Sequence, residues 1–217
     1  LDWLLKWKEK NDGIDIVVNR EQNLLEDIFS STNSTGQKFA SLPLFSESGG
    51  MIRRQCTSEY KIQPVLKTTR KLLNLKKGQR MKPTEMWLGI TTDEIQRMKK
   101  SQMYNVEYFY PLIYNAMNRN DCINYFKENK FPVPIKSGCV FCPFHNNKDW
   151  ARQKRDKPSE FKVAIKVDRA IRNSLIRRGN KDKVYLHNSC KPLEDIDFDD
   201  SQLEIFDGFE CEGHCGL

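Results

Sequence analysis

The chain reads as an α/β protein built on a parallel sheet. Near the start, a helical pattern, a short β-branched run and a second helical pattern follow one another, the alternation that generates crossover units. A second apolar run follows later, at 86–90, and reads as a central strand. Apolar residues are spread evenly over 217 residues, enough to bury one substantial core, so a single domain over 1–217 is expected.

In order, "LDWLLKWKEKNDG" places Leu1, Leu4 and Leu5 on one helical face, and Asn11, Asp12 and Gly13 end it. No N-cap precedes Leu1, so this helix is expected to start upstream. "IDIVVN" at 14–19 is β-branched and predicts a buried strand, followed by a helix over "EQNLLEDIFSS" and a loop at "STNSTGQ". "MWLGI" predicts the central strand, and "DEIQRMKKS" a loop or short helix. "NDCINYFKEN" at 120–129 predicts a helix capped by Asn120 and stopped by Pro132 and Pro134. "SEFKVAIKVDRAIRNSLIRRG" predicts a long helix whose stripe of Ala164, Val167, Ile171 and Leu175 packs into a core, with Gly179 as its C-cap.

Composition narrows the function classes. No run approaches the roughly 18 apolar residues of a membrane span, mean hydropathy is −0.69 and no signal peptide is visible, so a cytoplasmic protein is expected. Seven cysteines, an odd number, suit a closed disulfide framework poorly. Four of them form two tight pairs, Cys139/Cys142 and Cys211/Cys215, as a metal or cluster in a reducing compartment would use. Net charge is +7, but residues 148–183 carry 13 Lys/Arg against 5 Asp/Glu, whereas 184–217 carry 1 against 9. The basic stretch suits nucleic acid and equally suits a solvated helix face.

Three motifs carry chemistry. In "RRQCTSEYKIQP", Arg53, Arg54 and Lys61 surround Cys56, a grouping that binds phosphate or sulfate and favours a thiolate, or that simply surrounds a buried cysteine with surface charge. In "GITTDEIQRM", Asp93, Glu94 and Arg97 follow a strand, where open sheets bind ligands and where a structural ion pair is equally at home. In "FPVPIKSGCVFCPF", Cys139 and Cys142 can ligate one zinc or iron-sulfur centre from a single loop, with further thiols at Cys56, Cys190, Cys211 and Cys215. The ending "FECEGHCGL" is a thiol hook able to close such a centre or to present a nucleophile.

Taken together, "RRQCTSEYKIQP", "LGITTDEIQRM", "YPLI", "RNDC", "FPVPIKSGCVFCPF", "YLHNS" and "CEGHCGL" resemble the phosphoadenosine phosphosulfate (PAPS) reductase-like family, from about Ile14 to Leu217. That family belongs to the adenine nucleotide alpha-hydrolase-like group, which also holds N-type ATP pyrophosphatases. The resemblance implies a Rossmann-like (HUP-type) parallel sheet with flanking helices, a nucleotide-binding-type core at 1–130 and a Cys-rich helical part at 131–217. It implies ATP or another adenine nucleotide on a Ser-Gly-Gly-x-Asp-Ser loop after the first strand. This chain lacks that strand and loop; "SESGGM" at 46–51 looks similar but has no strand before it and leads into "RRQC".

By the same resemblance, Arg53, Arg54 and Lys61 contact phosphate or sulfate, and Lys136 faces the same cleft. Cys56, Cys139 and Cys142 match ligands of a [4Fe-4S] cluster, with Zn2+ the alternative. Gln55 stands where the cluster-bearing relatives have an adjacent cysteine, so the fourth ligand is expected from Cys215, or else Cys211. True PAPS reductases carry a catalytic cysteine in a C-terminal tail that "HCGL" partly matches, which makes Cys215 the candidate nucleophile. Other cluster-bearing relatives act in DNA phosphorothioation and tRNA thiolation, and the basic 148–183 stretch favours that group. The expected function is ATP-dependent adenylation or sulfur transfer on a nucleic acid or nucleotide. The rivals are a sulfonucleotide reductase using Cys215 and a zinc-stabilised nucleic-acid-binding module without catalysis. No membrane partner is expected, and a homo-oligomer is compatible with the sequence.

Overall fold

The computed structural model describes residues 2–10, 14–19, 23–30, 42–134, 138–174 and 182–198. In chain order its elements are α1 (Asp2–Lys10), α2 (Leu24–Ser30), β1 (Phe45–Ser46), a π-helical turn (Ser58–Ile62), α3 (Gln63–Leu72), β2 (Thr84–Trp87), a 3-10 turn (Thr92–Arg97), β3 (Val106–Phe109), α4 (Pro111–Tyr114), α5 (Arg119–Glu128), α6 (Asn147–Asp156), α7 (Pro158–Ile171), β4 (Val184–Tyr185) and a second 3-10 turn (Leu193–Asp195). Helix and strand are mixed, and the strands form two small sheets, β1 with β4 and β2 with β3. The elements group into two compact units, each assembled from two separated stretches: Leu1–Glu21 with Pro64–Ser137, and Gln22–Gln63 with Gly138–Leu217. Among the described residues, no helix is long and apolar enough to cross a membrane.

In the first unit, β2 and β3 run parallel in the register Thr84↔Val106 to Trp87↔Phe109. The Leu88 N–H extends the pairing to the Phe109 carbonyl at 2.9 Å. The strand therefore begins two residues before "MWLGI", and Ile90 at its far end is buried. The segment 14–19 forms no strand, and Ile14, Val17 and Val18 are exposed. β-propensity expresses itself only against a partner strand, and no described residue pairs with this run. Its end is held by Asn19, whose Nδ2 donates to Thr68 Oγ1 at 3.0 Å. α5 is capped by Asn118 rather than Asn120. Asn118 Oδ1 accepts from the Asp121 N–H at 3.0 Å and Asp121 Oδ2 from the Asn118 N–H at 2.8 Å, a reciprocal box that Asn120 has no acid three residues on to form.

The second unit is organised around α7. Pro158 sits in its first turn, where a missing N–H costs nothing, and Phe161, Ala164, Val167 and Ile171 recur at helical spacing as its buried stripe. Trp150 from α6, Ile28 from α2, Leu44, Leu186 and Leu193 belong to the same cluster. Three of the four residues expected in the stripe are thus core residues, and Leu175 and Gly179 lie outside the described residues. The helix stops at Ile171 because its next groups bond elsewhere. The Ser174 N–H closes a tight turn on the Ile171 carbonyl at 2.7 Å, and the Arg172 carbonyl accepts from the Val184 N–H of β4 at 3.1 Å.

β4 pairs antiparallel with β1, Phe45↔Tyr185 and Ser46↔Val184. A strand therefore does lead into "SESGGM", contrary to the sequence expectation. Gly49 and Gly50, at φ of 101° and 81°, turn the chain back so that Met51 bridges Phe45. The Ser46 and Ser48 hydroxyls both donate to Asp182 Oδ2, at 3.0 and 2.6 Å. These serines are bound to a carboxylate of the chain itself.

Asp168 is the polar centre of this unit, with 1 % of its surface exposed. Oδ1 accepts from the Leu186 N–H at 3.0 Å; Oδ2 accepts from the Leu193 N–H at 3.2 Å and from Arg172 Nη2 at 2.7 Å. Removing the carboxylate strands two buried N–H groups and a part-buried guanidinium. Asp168→Ala is expected to destabilise the protein by about 3–5 kcal/mol in urea unfolding. Asp156→Ala, which removes an exposed contact to Arg155, should leave the midpoint where it was.

Candidate functional site

Two segments separated by more than seventy residues meet in the second unit. The first follows the hairpin: the Ile52 N–H bonds to the Leu44 carbonyl at 2.8 Å, which fixes the exit of Arg53, Arg54 and Gln55 and starts a helix at Cys56. That helix widens at once into the π turn, with the Gln63 N–H reaching back to the Ser58 carbonyl. Pro64 supplies the cause, since it has no N–H to offer the Tyr60 carbonyl and its ring crowds that position in a regular α-helix. Such turns are rare and concentrate at functional sites. The Tyr60 hydroxyl, donating to Asp27 of α2, secures the turn.

The second segment is the loop 138–147. The Cys142 N–H bonds to the Cys139 carbonyl at 3.0 Å and the His145 N–H to the Cys142 carbonyl at 3.1 Å, so two consecutive turns carry Cys139, Cys142 and His145. Phe141 anchors the loop in the core, and the buried Gln153 of α6 donates to the Val140 carbonyl at 3.0 Å. Asn146 then caps α6, accepting from the Asp149 N–H at 2.8 Å. A third support comes from His187. The Ser189 N–H donates to its Nδ1 at 3.2 Å, which leaves the ring proton on Nε2 to donate to Asn147 Oδ1 at 2.8 Å.

The two segments touch through identified groups. The Arg54 guanidinium lies 5.7 Å from the centre of the Phe144 ring, a cation-π contact. Cys56 and Cys139 both pack against the same core cluster. Burial pushes the Cys139 thiol above its ordinary pKa; a hydrogen bond from the Phe141 backbone lowers it, neighbouring Cys56 adds to the rise and Lys61 opposes it. The sequence motifs "RRQCTSEYKIQP" and "SGCVFCPF" are therefore one neighbourhood. It contains Arg54, Cys56, Lys61, Cys139 and Cys142, with Arg53 exposed at its entry.

The donor chemistry suits a thiolate-bound centre. Soft sulfur ligands on two segments, near a lysine and an arginine, can carry the negative charge such a centre accumulates. Trp150 is fully buried beside this loop, and its Nε1 has no hydrogen-bond partner among the described residues. Its ring stands edge-on to His145 at 4.7 Å, next to the cysteine loop. Among the described residues, no three His, Cys, Asp or Glu side chains are already grouped to hold a metal ion.

The first unit joins two other motifs. The Thr92 N–H bonds to the Met117 carbonyl at 3.0 Å, and Asp93 Oδ2 accepts from the Arg119 N–H at 2.6 Å, so "LGITTDEIQRM" rests on the start of the "RNDC" helix. Glu94 and Arg97 form an ion pair with each other. Cys122 lies in this neighbourhood, its thiol pushed up by burial and by the carboxylates of Asp121 and Asp93, with Arg119 opposing. Lys136, Cys211 and Cys215 lie outside the described residues.

Among the described residues, five of the thirteen Lys/Arg at 148–183 are in ion pairs. Arg152 pairs with Asp149, Arg155 with Asp156, Lys157 with Glu160, Arg169 with Glu194 and Arg172 with Asp168. Of these partners only Glu194 lies outside the stretch, so the pairing leaves its excess of positive charge nearly intact.

No family model, no curated protein and no solved structure matches the chain. The resemblance to PAPS reductase-like proteins is one of sequence motifs alone. Sequence reading passed over His145, although a Cys-x-x-Cys-x-x-His spacing signals it, and over Cys122, which lies within a quoted motif. His187 and Trp150 carry no local signal, because their roles depend on contacts with residues distant in sequence.

Burial lowers the His187 pKa from 6.5 to about 4, against the smaller opposing pull of Asp168. The neutral ring is the folded form, so the unfolded chain binds the extra proton between these values. Stability from this group is complete above pH 6.5 and is lost as pH falls toward 4, by up to about 1.4 kcal/mol per pH unit. His187→Gln should flatten that part of the urea-stability profile relative to wild type.

Proposed function

We propose that the chain is a PAPS reductase-like enzyme acting in ATP-dependent adenylation or sulfur transfer on a nucleic acid or nucleotide. Cys56, Cys139 and Cys142 are ligands of its metal centre, a [4Fe-4S] cluster. The observation that carries this reading is the meeting of the "RRQC" and "CVFC" segments, which puts two of the three thiols, Cys56 and Cys139, beside Lys61 and stacks Arg54 on Phe144. Chance surface charge around an isolated cysteine gives no reason for these distant segments to converge.

In this reading β2 and β3 belong to a parallel sheet of Rossmann type, and the 3-10 turn Thr92–Arg97 lies beyond the carboxyl end of β2, on the side where such sheets bind nucleotides. Arg53, Arg54 and Lys61 neutralise the phosphate or sulfate of the substrate, the guanidinium fork matching two oxygens at once. A cluster, when bound, supplies an electron-transfer or sulfur-binding iron centre. Lys162 and Lys166, exposed on α7, offer contacts to a nucleic acid backbone. The same thiols also suit Zn2+. That metal would make the centre structural, and the colour of the protein separates the two.

Protein purified without oxygen is expected to be brown, with broad visible thiolate-to-iron absorption and stoichiometric iron and sulfide. Cys139→Ser and Cys142→Ser should reduce both to background while Cys190→Ser retains them. Colourless protein with one zinc per chain replaces the cluster by zinc, and protein binding neither metal overturns the reading.

A further inference from the structure

We propose that the first unit carries a binding surface for a single-stranded nucleic acid, made of Lys76, Lys77, Arg80 and Lys82 on the loop between α3 and β2 and of the exposed ring of Tyr104. It goes beyond the reading above, because it needs neither a metal nor a reaction and lies on a different unit from α7.

Charge is the first observation. Leu1–Glu21 and Pro64–Ser137 together carry 18 Lys/Arg against 11 Asp/Glu, so the +7 of the whole chain resides in this unit. Between Pro64 and Thr84 there are seven Lys/Arg and no acid. Lys76, Lys77, Arg80 and Lys82 are exposed, and none of the four is in an ion pair among the described residues. The loop that carries them is braced from below. Arg70 Nη2 donates to the carbonyls of Lys76 and Gln79, both at 2.9 Å, and Gln79 Oε1 accepts from the Lys76 N–H at 2.7 Å. Gly78, at φ of 85°, makes the reversal between them. One guanidinium is thus used as a strut, and the four cations beyond it stand on a fixed backbone. Such an array neutralises successive phosphates without first having to order its loop.

Tyr104 supplies the aromatic part. The Thr84 N–H bonds to the Asn105 carbonyl at 2.9 Å, and Asn105 Nδ2 donates to the Met81 carbonyl at 3.1 Å, which ties the residue after Tyr104 to the end of the basic loop. The Arg80 guanidinium lies 5.2 Å from the centre of the Tyr104 ring, and the residue is still 66 % exposed. An unpaired base can stack on such a ring while its phosphates meet the lysines, whereas a base inside a duplex has no free face to offer. A lipid surface fits less well, because the loop tip from Lys76 to Arg80 has no apolar residue to insert. Trp87 is equally exposed, but it donates to Glu85, and Glu85 stands opposite Glu107 in the strand register, so that face of the sheet repels phosphate.

The test is fluorescence anisotropy of the full chain with labelled single-stranded RNA, single-stranded DNA and a duplex of the same mixed sequence, beside sedimentation with vesicles of phosphatidylserine in phosphatidylcholine. A single strand is expected to bind at least about tenfold more tightly than the duplex. Lys76→Ala, Lys77→Ala, Arg80→Ala and Lys82→Ala combined should lower the slope of log affinity against log salt by about 3, at about 0.7 per phosphate contact. Tyr104→Ala should weaken single-strand binding roughly 5- to 150-fold, and Tyr104→Phe should retain it. Trp87→Ala, and Lys162→Ala with Lys166→Ala, should leave it unchanged. Circular dichroism checks that each variant is folded. Wild-type protein that binds no strand overturns the proposal, as does binding that prefers the duplex or is lost with the α7 variants rather than with the loop variants. Loop variants that lose vesicle binding and keep strand binding overturn it in favour of a lipid surface. Metal content is measured on the same samples. Strand binding by protein that takes up no metal removes the reading above and leaves this one, and bound metal with unaltered strand binding in the loop variants does the reverse.

Discussion

The second unit depends on one buried carboxylate. Asp168 gathers the Leu186 and Leu193 N–H groups and the Arg172 guanidinium, so the chain after α7 is fixed to it at three points. Leu186 follows β4, whose pairing with β1 sets the hairpin from which Arg53, Arg54 and Cys56 emerge. Next to Leu186 is His187, which holds Asn147 at the end of the cysteine loop. Both segments of the candidate centre are therefore positioned from one group. A buried ion is costly to desolvate, and this one is tolerable because three donors meet its two oxygens.

Sequence periodicity revealed what local physics controls. The α7 stripe, the strand at "MWLGI" and the stop after α5 follow from spacing and from Pro and Asn chemistry. It failed where partners decide the outcome. "IDIVVN" has strand chemistry but no paired neighbour, and α7 ends early because the Arg172 carbonyl bonds to β4. Asp168 reads as one more charge on a basic helix until Leu186 and Leu193 arrive from elsewhere in the chain.

The candidate site was legible in its pieces and not in its assembly. Motif chemistry marked Cys56, Cys139 and Cys142, and the fold adds that the first two are neighbours. For Glu94 and Arg97, the alternative of a structural ion pair describes what the side chains do in the structure. Asp93 likewise bonds to the start of α5. Their place after β2 nevertheless puts "LGITTDEIQRM" against the start of the "RNDC" helix, which residue types alone do not reveal.

The π turn has an implication for how this site tolerates change. Hydrogen bonding from i to i+5 stacks residues five apart, as an α-helix stacks residues four apart. Cys56 and Lys61 are five apart. In a regular α-helix they would point about 140° away from each other, and a wide turn between them narrows that angle; Lys61 is also one of the charges acting on Cys139. The turn behaves as a single-residue insertion locked in by Pro64. Shortening it by one position would leave a sound helix whose lysine faces the wrong way, so chain length here is constrained as tightly as residue identity.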